Sequence, residues 1–182
     1  ADLLVVVGFF DRLELSVHLP LYLVNDTAFE GEDLGGFAVG DLGVKSRVRI
    51  VSQDKAGIGL GASVDVTFPT GSGQAFVGSS SVTAKPELII DRTIGGLLLA
   101  GNFGFRIQRD ETLRNLELGD QFTYGIGAEY AFVDGLLRVG TELNGSTQLG
   151  DFFGTAETSP LEVLLGAKVV TNAGFAVMAG GG

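Results

Sequence analysis

The chain has 182 residues, of which 45% are hydrophobic, and its mean hydropathy is +0.34. This length suits one domain over residues 1–182. No segment approaches the roughly 18 uninterrupted apolar residues of a membrane-spanning helix. The formal net charge of −10 and the lack of a Lys/Arg cluster argue against a nucleic-acid partner. With zero cysteines and one histidine, we expect no metal site and no cofactor.

Apolar residues alternate with small or polar residues in successive segments, and this period of two predicts β-strands. The predicted strands are residues 3–10, 13–23, 42–50, 57–68, 82–90, 97–108, 122–132, 137–144, 161–169 and 174 onward. The first strand is apolar at every position, so its phase stays open. Pro86 removes a ladder donor and predicts a bulge or a break in the fifth strand.

The connections between these strands alternate strictly in length. Tight turns are predicted at residues 10–12, 53–55, 92–95, 133–135 and 171–173. Long loops are predicted at residues 24–39, 70–79, 109–118 and 148–159. Transmembrane β-barrels have short periplasmic turns and long outer loops. The sequence therefore predicts an all-β fold, an antiparallel up-and-down transmembrane β-barrel with ten visible strands, in the outer membrane of a Gram-negative bacterium.

Each predicted strand has one apolar face and one polar face, and the glycines indicate which of them points inward. Glycine weakens a solvated outer face, but on a concave inner wall it leaves room for long neighbouring side chains. The polar-face glycines that carry this argument are Gly57, Gly59, Gly61, Gly125, Gly127, Gly140 and Gly166. We therefore expect the apolar face to contact lipid. The alternative is a soluble lipocalin-like lipid carrier, whose apolar face would point inward.

Loop lengths also orient the chain. The first visible strand runs towards the periplasm and the last one runs outward, whereas bacterial barrels have an even strand number and periplasmic termini. We therefore expect the chain to be a fragment that lacks at least one strand at each end of a barrel of about twelve strands.

The polar faces carry acids and bases in nearly equal number. The predicted lumen-lining network is Glu14, His18, Lys45, Arg47, Arg49, Asp65, Lys85, Glu87, Arg106, Glu129, Arg138, Glu142, Glu162 and Lys168. Charges in a restricted interior are expected to form cross-strand ion pairs. The stripe of Lys45, Arg47 and Arg49 could select anions, but we expect Asp65 and acids across the barrel to neutralise it. The acidic excess then falls in the long loops, as a rim compatible with lipopolysaccharide, so outer-membrane lipid and lipopolysaccharide are the expected partners.

His18 is the sole candidate for a catalytic base, with Ser16 and Glu14 on the same strand face. A hydrolase active at the outer rim would have to use it. However, His18 falls in the middle of its predicted strand, inside the barrel. We therefore expect a structural histidine and no catalytic residue.

Three glycine-rich motifs resemble a known family. They are Gly40-Asp41-Leu42-Gly43-Val44-Lys45, Gly59-Leu60-Gly61 and Phe68-Pro69-Thr70-Gly71. Together they resemble the outer-membrane barrels grouped with the meta-pathway of phenol degradation. They are also similar to barrel domains that precede an OmpA-like peptidoglycan-binding module in some Gram-negative envelope proteins. The resemblance implies a narrow pore for small solutes or an outer-membrane anchor, with any contact to peptidoglycan made by a module outside this chain.

Overall fold

Strands form wherever apolar residues alternate with small or polar ones, because such segments fit a pleated surface with two different faces. The structure is a computed structural model that describes residues 2–24, 28–29, 32–33, 36–71, 78–109, 111–113, 116–155, 158–170 and 176–182. Its strands are β1 Asp2–Phe9, β2 Leu13–Val24, β3 Ala28–Phe29, β4 Glu32–Asp33, β5 Gly36–Val39, β6 Leu42–Val51, β7 Gly59–Phe68, β8 Thr83–Ile94, β9 Leu97–Arg106, β10 Glu111–Leu113, β11 Leu116–Leu118, β12 Gln121–Phe132, β13 Leu137–Gln148, β14 Leu161–Val170 and β15 Ala176–Gly181. A helical turn α1, Gln53–Ala56, joins β6 to β7, and a 3-10 turn, Val133–Gly135, joins β12 to β13.

One antiparallel sheet contains all ten predicted strands. Its order is β1-β2-β6-β7-β8-β9-β12-β13-β14-β15, and β5 pairs with the outer part of β2. Neighbours in this order are also neighbours along the chain, which confirms the up-and-down topology. Within the described residues β1 and β15 end the order without pairing to each other. The expectation of flanking strands stays a prediction.

The two faces of the sheet differ in polarity and exposure in the way that a membrane barrel requires. Large apolar side chains such as Ile126, Leu165 and Phe103 are exposed, whereas polar side chains such as Ser63, Glu87 and Thr123 are buried. Ala38 is the one buried hydrophobic residue in the part of the chain that the structure describes. A soluble carrier needs the opposite arrangement, so that alternative finds no support.

Pairing with β2 settles the phase of β1, which its own sequence leaves open. Val7 pairs with Leu15 and Val5 pairs with Val17, while Val6 pairs with Ser16. Directly opposed residues lie on the same face of a sheet. Val5 and Val7 therefore share the apolar face with β2, and Val6 lies on the polar face.

Several connections differ from the predicted ones. The predicted loop 24–39 contains the paired strands β3 and β4 and strand β5, and the predicted loop 109–118 contains the paired strands β10 and β11. The described parts of both connections therefore include β-structure. Strand β8 continues to Ile94, which moves its tight turn to Gly95 and Gly96. The predicted turn 171–173 lies outside the described residues.

The predicted break at Pro86 is confirmed on one side of β8. Pro86 pairs with Val64 of β7 in an unbroken register, but the ladder to β9 stops at Glu87 and Gly104, and the isolated bridge between Ala84 and Ile107 lies beyond the gap. Pro86 has no N–H to donate to β9, which explains the gap. A register shift occurs separately in β6, between Arg49 and Val51.

No helix among the described residues is long and apolar enough to cross a bilayer.

Candidate functional site

A buried carboxylate on β8, Glu87, binds side chains from its own strand and from three others. Its oxygens lie 3.0 Å from Lys85 Nζ and 3.6 Å from Lys45 Nζ. Asn102 Nδ2 donates to it at 2.9 Å, and Ser63 Oγ donates at 3.3 Å. We call these five residues the Glu87 cluster. They belong to β6, β7, β8 and β9, so the cluster crosses a large part of the polar wall.

A glycine on the adjacent strand makes room for this carboxylate. Gly104 of β9 pairs directly with Glu87, and a Cβ at this position would meet the Pro86 carbonyl oxygen and, at 2.8 Å, Glu87 Cγ. Glycine therefore allows the Glu87 side chain to lie flat across β9, where Asn102 can reach it. Gly104 carries no signal in the sequence that marks it as part of the site, because its role depends on the residue paired with it.

The prediction that Asp65 neutralises the basic stripe is wrong in detail. Asp65 pairs in register with Lys45 and with Lys85, yet it forms no ion pair with any described residue. Its Oδ1 is buried and has no hydrogen-bond partner in the described part of the protein. The two lysines lean instead towards Glu87, because the longer glutamate reaches both of them.

Two further pairs support the expected network, and some predicted members remain outside it. Arg47 Nη1 lies 3.5 Å from Glu14 Oε1, and Arg138 Nη1 donates to Glu129 Oε1 at 3.0 Å. Each pair joins neighbouring strands. The predicted residues that form no ion pair with a described residue are His18, Arg49, Asp65, Arg106, Glu142, Glu162 and Lys168.

His18 lies on the polar face of β2 beside Gly43 of β6, with which it pairs. A Cβ on Gly43 would overlap the imidazole ring, so the glycine provides the space that the ring occupies. Ser16 lies two residues away on the same strand face, and no hydrogen bond joins the two side chains in the structure. The geometry is that of a packed histidine and offers no nucleophile and base pair.

The same arrangement of a polar side chain over glycine recurs along the polar wall. Asp91 lies over Gly59, and Asn102 and Asn144 flank Gly125 from both sides. Asp91 was not among the predicted interior residues, because the predicted strand ended at Ile90; one more residue of alternation would have placed it on the polar face. Gly57 is the exception to the predicted set, since it ends α1 with φ +76° and a Cβ there would meet no atom within 4 Å.

Open space adjoins the polar wall in two places. A cavity of about 870 Å³ lies near the short turns and includes Glu14, Arg47, Arg49 and Asp91 in its lining. A second one, of about 600 Å³, includes Leu98, Glu129, Arg138, Leu164 and Lys168. The interior thus combines charged side chains with open space large enough for small solutes. Among the described residues no group of carboxylates and imidazoles is arranged to hold a metal ion.

At the long-loop end, Asp41 joins the base of the β7–β8 connection to the start of β6. Its carboxylate accepts hydrogen bonds from Gly71 N at 2.8 Å, Ser79 N at 2.6 Å and Ser79 Oγ at 2.7 Å. Burial by itself would raise the pKa of this carboxyl, but the hydrogen bonds from Ser79 and Gly71 outweigh it and hold the pKa below its usual value. The anionic form therefore stabilises this part of the outer rim.

An antiparallel sheet with an apolar convex face and an ion-paired polar interior defines an outer-membrane β-barrel. A model of the family described as "Putative MetA-pathway of phenol degradation" matches residues 11–176, and the chain belongs to this family. Among solved structures it is similar to an outer membrane channel from Pseudomonas putida F1, with a TM-score of 0.65 and 19% identity. That alignment covers 98% of this chain and 73% of the other, and at this identity it shows a shared fold. No curated protein matches the chain.

Proposed function

We propose that this protein is a non-enzymatic channel that passes small solutes through the barrel interior in the outer membrane of a Gram-negative bacterium. The observation that carries the proposal is a charged polar wall with open space along it. The Glu14–Arg47 pair lines one cavity and the Glu129–Arg138 pair lines the other, and the Glu87 cluster lies on the same wall. Charged side chains of this kind narrow a lumen but leave it filled with water. Charges along a pore decide which ions pass. Membership of the family and the fold shared with an outer membrane channel support the same function.

The chemistry of the surfaces supports the expected partners. The convex apolar face fits membrane lipid, and the acidic sequence of the long loops fits a rim among lipopolysaccharide headgroups. Contact with peptidoglycan through a module outside this chain is part of the rival proposal, in which the barrel serves as an anchor.

Planar-bilayer recording of the full-length protein tests the channel directly. In the wild type the carboxylate of Glu87 offsets part of the positive charge of Lys45 and Lys85. Glu87→Gln removes this negative charge and leaves the positive charge of the two lysines uncompensated. We expect open-channel steps from both proteins and, in a KCl gradient, a reversal potential of Glu87→Gln shifted towards chloride selectivity.

Asp54→Asn is the matched control, because it removes one negative charge from the exposed turn α1, away from the interior. Its reversal potential should equal that of the wild type. A silent bilayer with correctly folded protein would contradict the channel and favour the anchor. An unchanged selectivity of Glu87→Gln in a conducting protein would remove the Glu87 cluster from the solute path.

A further inference from the structure

The β13–β14 loop folds back over the convex face of the barrel. Thr147 of β13 pairs with Phe122 and so belongs to the outward, apolar phase of the strand, yet its exposed fraction is 0%. Its Oγ1 accepts a hydrogen bond from Phe153 N at 2.8 Å and lies 2.9 Å from Ser159 Oγ. Both partners come from the loop. The described part of the loop, residues 149–155 and 158–160, therefore lies over the outer side of the sheet.

Two phenylalanines of this loop join aromatic residues that point outward from the strands. Phe152 lies 6.0 Å from Phe122, and Phe153 lies 5.9 Å from Tyr124, measured between ring centroids. The two loop rings lie 4.7 Å apart, edge to face. Phe105 of β9 extends the group through Phe122 at 5.6 Å. These five rings form one outward-facing aromatic cluster at the long-loop end.

The loop holds its phenylalanines outward at a conformational cost. Phe153 has φ +53°, a left-handed conformation that a bulky side chain rarely adopts and that costs about 1–3 kcal/mol. After all these contacts Phe152 is still 57% exposed and Phe153 55% exposed. Polar groups of the loop meanwhile bind one another: Thr158 Oγ1 donates to Asp151 at 2.9 Å. Both rings therefore present apolar surface to the surroundings of the barrel.

We propose that the β13–β14 loop is a membrane-interface anchor, in which Phe152 and Phe153 insert between lipid headgroups and the ends of the acyl chains. The occupant is lipid because the cluster is continuous with the lipid-facing surface: Phe122 and Tyr124 lie in the same outward column of β12 as the exposed Ile126. Aromatic rings favour this interfacial level of a bilayer. The proposal rests on the barrel's place in the membrane and does not depend on solute passage.

The absence of tryptophan from the sequence allows a direct test. In Phe152→Trp the single indole of this chain reports its own surroundings after reconstitution in vesicles of brominated phosphatidylcholine. We expect a blue-shifted emission that bromines near the headgroup end of the chain quench more strongly than bromines near the chain terminus. Ile126→Trp, in mid-strand and outward, should show the reverse order of quenching and verifies insertion of the barrel.

Two results would overturn the anchor, provided that a parallel Phe105→Trp variant is quenched by lipid. Emission at the wavelength of aqueous tryptophan, quenched by iodide, would place the loop in water. Blue-shifted emission insensitive to both bromolipid and iodide would place Phe152 in a protein interface, such as a contact with a second copy of the chain.

Discussion

At the scale of single residues, glycines decide where the interior side chains can lie. Glu87, His18 and Asp91 each lie over a glycine of the adjacent strand, at Gly104, Gly43 and Gly59. The strand loses β-propensity at these positions. In return the polar wall can accommodate long side chains that reach partners on other strands. The glycine content is therefore a requirement of the interior network.

Gly104 gives the clearest test of this arrangement. Gly104→Ala should destabilise the protein by about 1–3 kcal/mol, because the new Cβ overlaps the Pro86 carbonyl and Glu87 Cγ. Urea unfolding in lipid vesicles, followed by circular dichroism, measures the change. Gly166→Ala is the matched control, since the nearest atom to its new Cβ is 3.6 Å away. It should be neutral or stabilise by about 0.4–1 kcal/mol. Equal effects of the two substitutions would contradict the packing argument.

Asp41 predicts an acid-sensitive contact at the outer rim. Its pKa is lowered in the folded protein, so its stabilising effect is complete above the ordinary aspartate pKa of about 4 and is lost as the pH falls through the lowered value. Hydrogen exchange of the segments that contain Gly71 and Ser79 measures the contact.

Asp41→Asn should speed that exchange by about tenfold or more at pH 7, since hydrogen bonds to a charged group contribute about 1.5–3 kcal/mol. In wild-type protein these segments should open more often as the pH falls and Asp41 is protonated. Asp41→Asn should remove this pH dependence. If the wild type and Asp41→Asn exchange at the same rate, other contacts hold this part of the rim and the prediction is wrong.

At the scale of strands, alternation assigns each residue to the lumen or to lipid, and adjacent residues of β6 offer a matched pair. The natural chain has no cysteine, so single substitutions are unambiguous. In intact barrels a membrane-impermeant, water-soluble thiol reagent should label Arg47→Cys quickly and Val48→Cys much more slowly. Arg47 faces Glu14 across the polar wall, whereas Val48 is an exposed residue of the apolar face. The reverse order of labelling would overturn the assignment of the lumen.

At the scale of the whole molecule, the outward apolar surface requires a lipid or detergent environment. Exposed valine, leucine and phenylalanine side chains cover the convex face, and large apolar surfaces aggregate in water. We therefore expect the circular-dichroism signature of β-structure and resistance to protease to appear on transfer from urea into lipid vesicles. Transfer into buffer alone should give aggregates. A monodisperse, folded protein in plain buffer would support a soluble carrier and contradict the membrane barrel.

The sequence by itself determined the strands, the two faces and the class of protein. Alternation with a period of two is a local property, and it identifies the lipid face of β12 or β14 without knowledge of any neighbour. Pattern also placed the tight turns near residues 10–12 and 133–135. It failed where a strand continued beyond a change of composition, as β8 did at Asp91, because such a boundary depends on pairing with the adjacent strand.

Only the tertiary structure decided which interior side chains meet. The sequence offered Asp65 as the partner of Lys45, but in the folded sheet both Lys45 and Lys85 bind Glu87. It could not assign a phase to β1, which pairing with β2 fixes. Nor could it show that the β13–β14 loop covers Thr147. Each of these depends on register and curvature, which join residues distant in the chain and leave no periodic trace within a single strand.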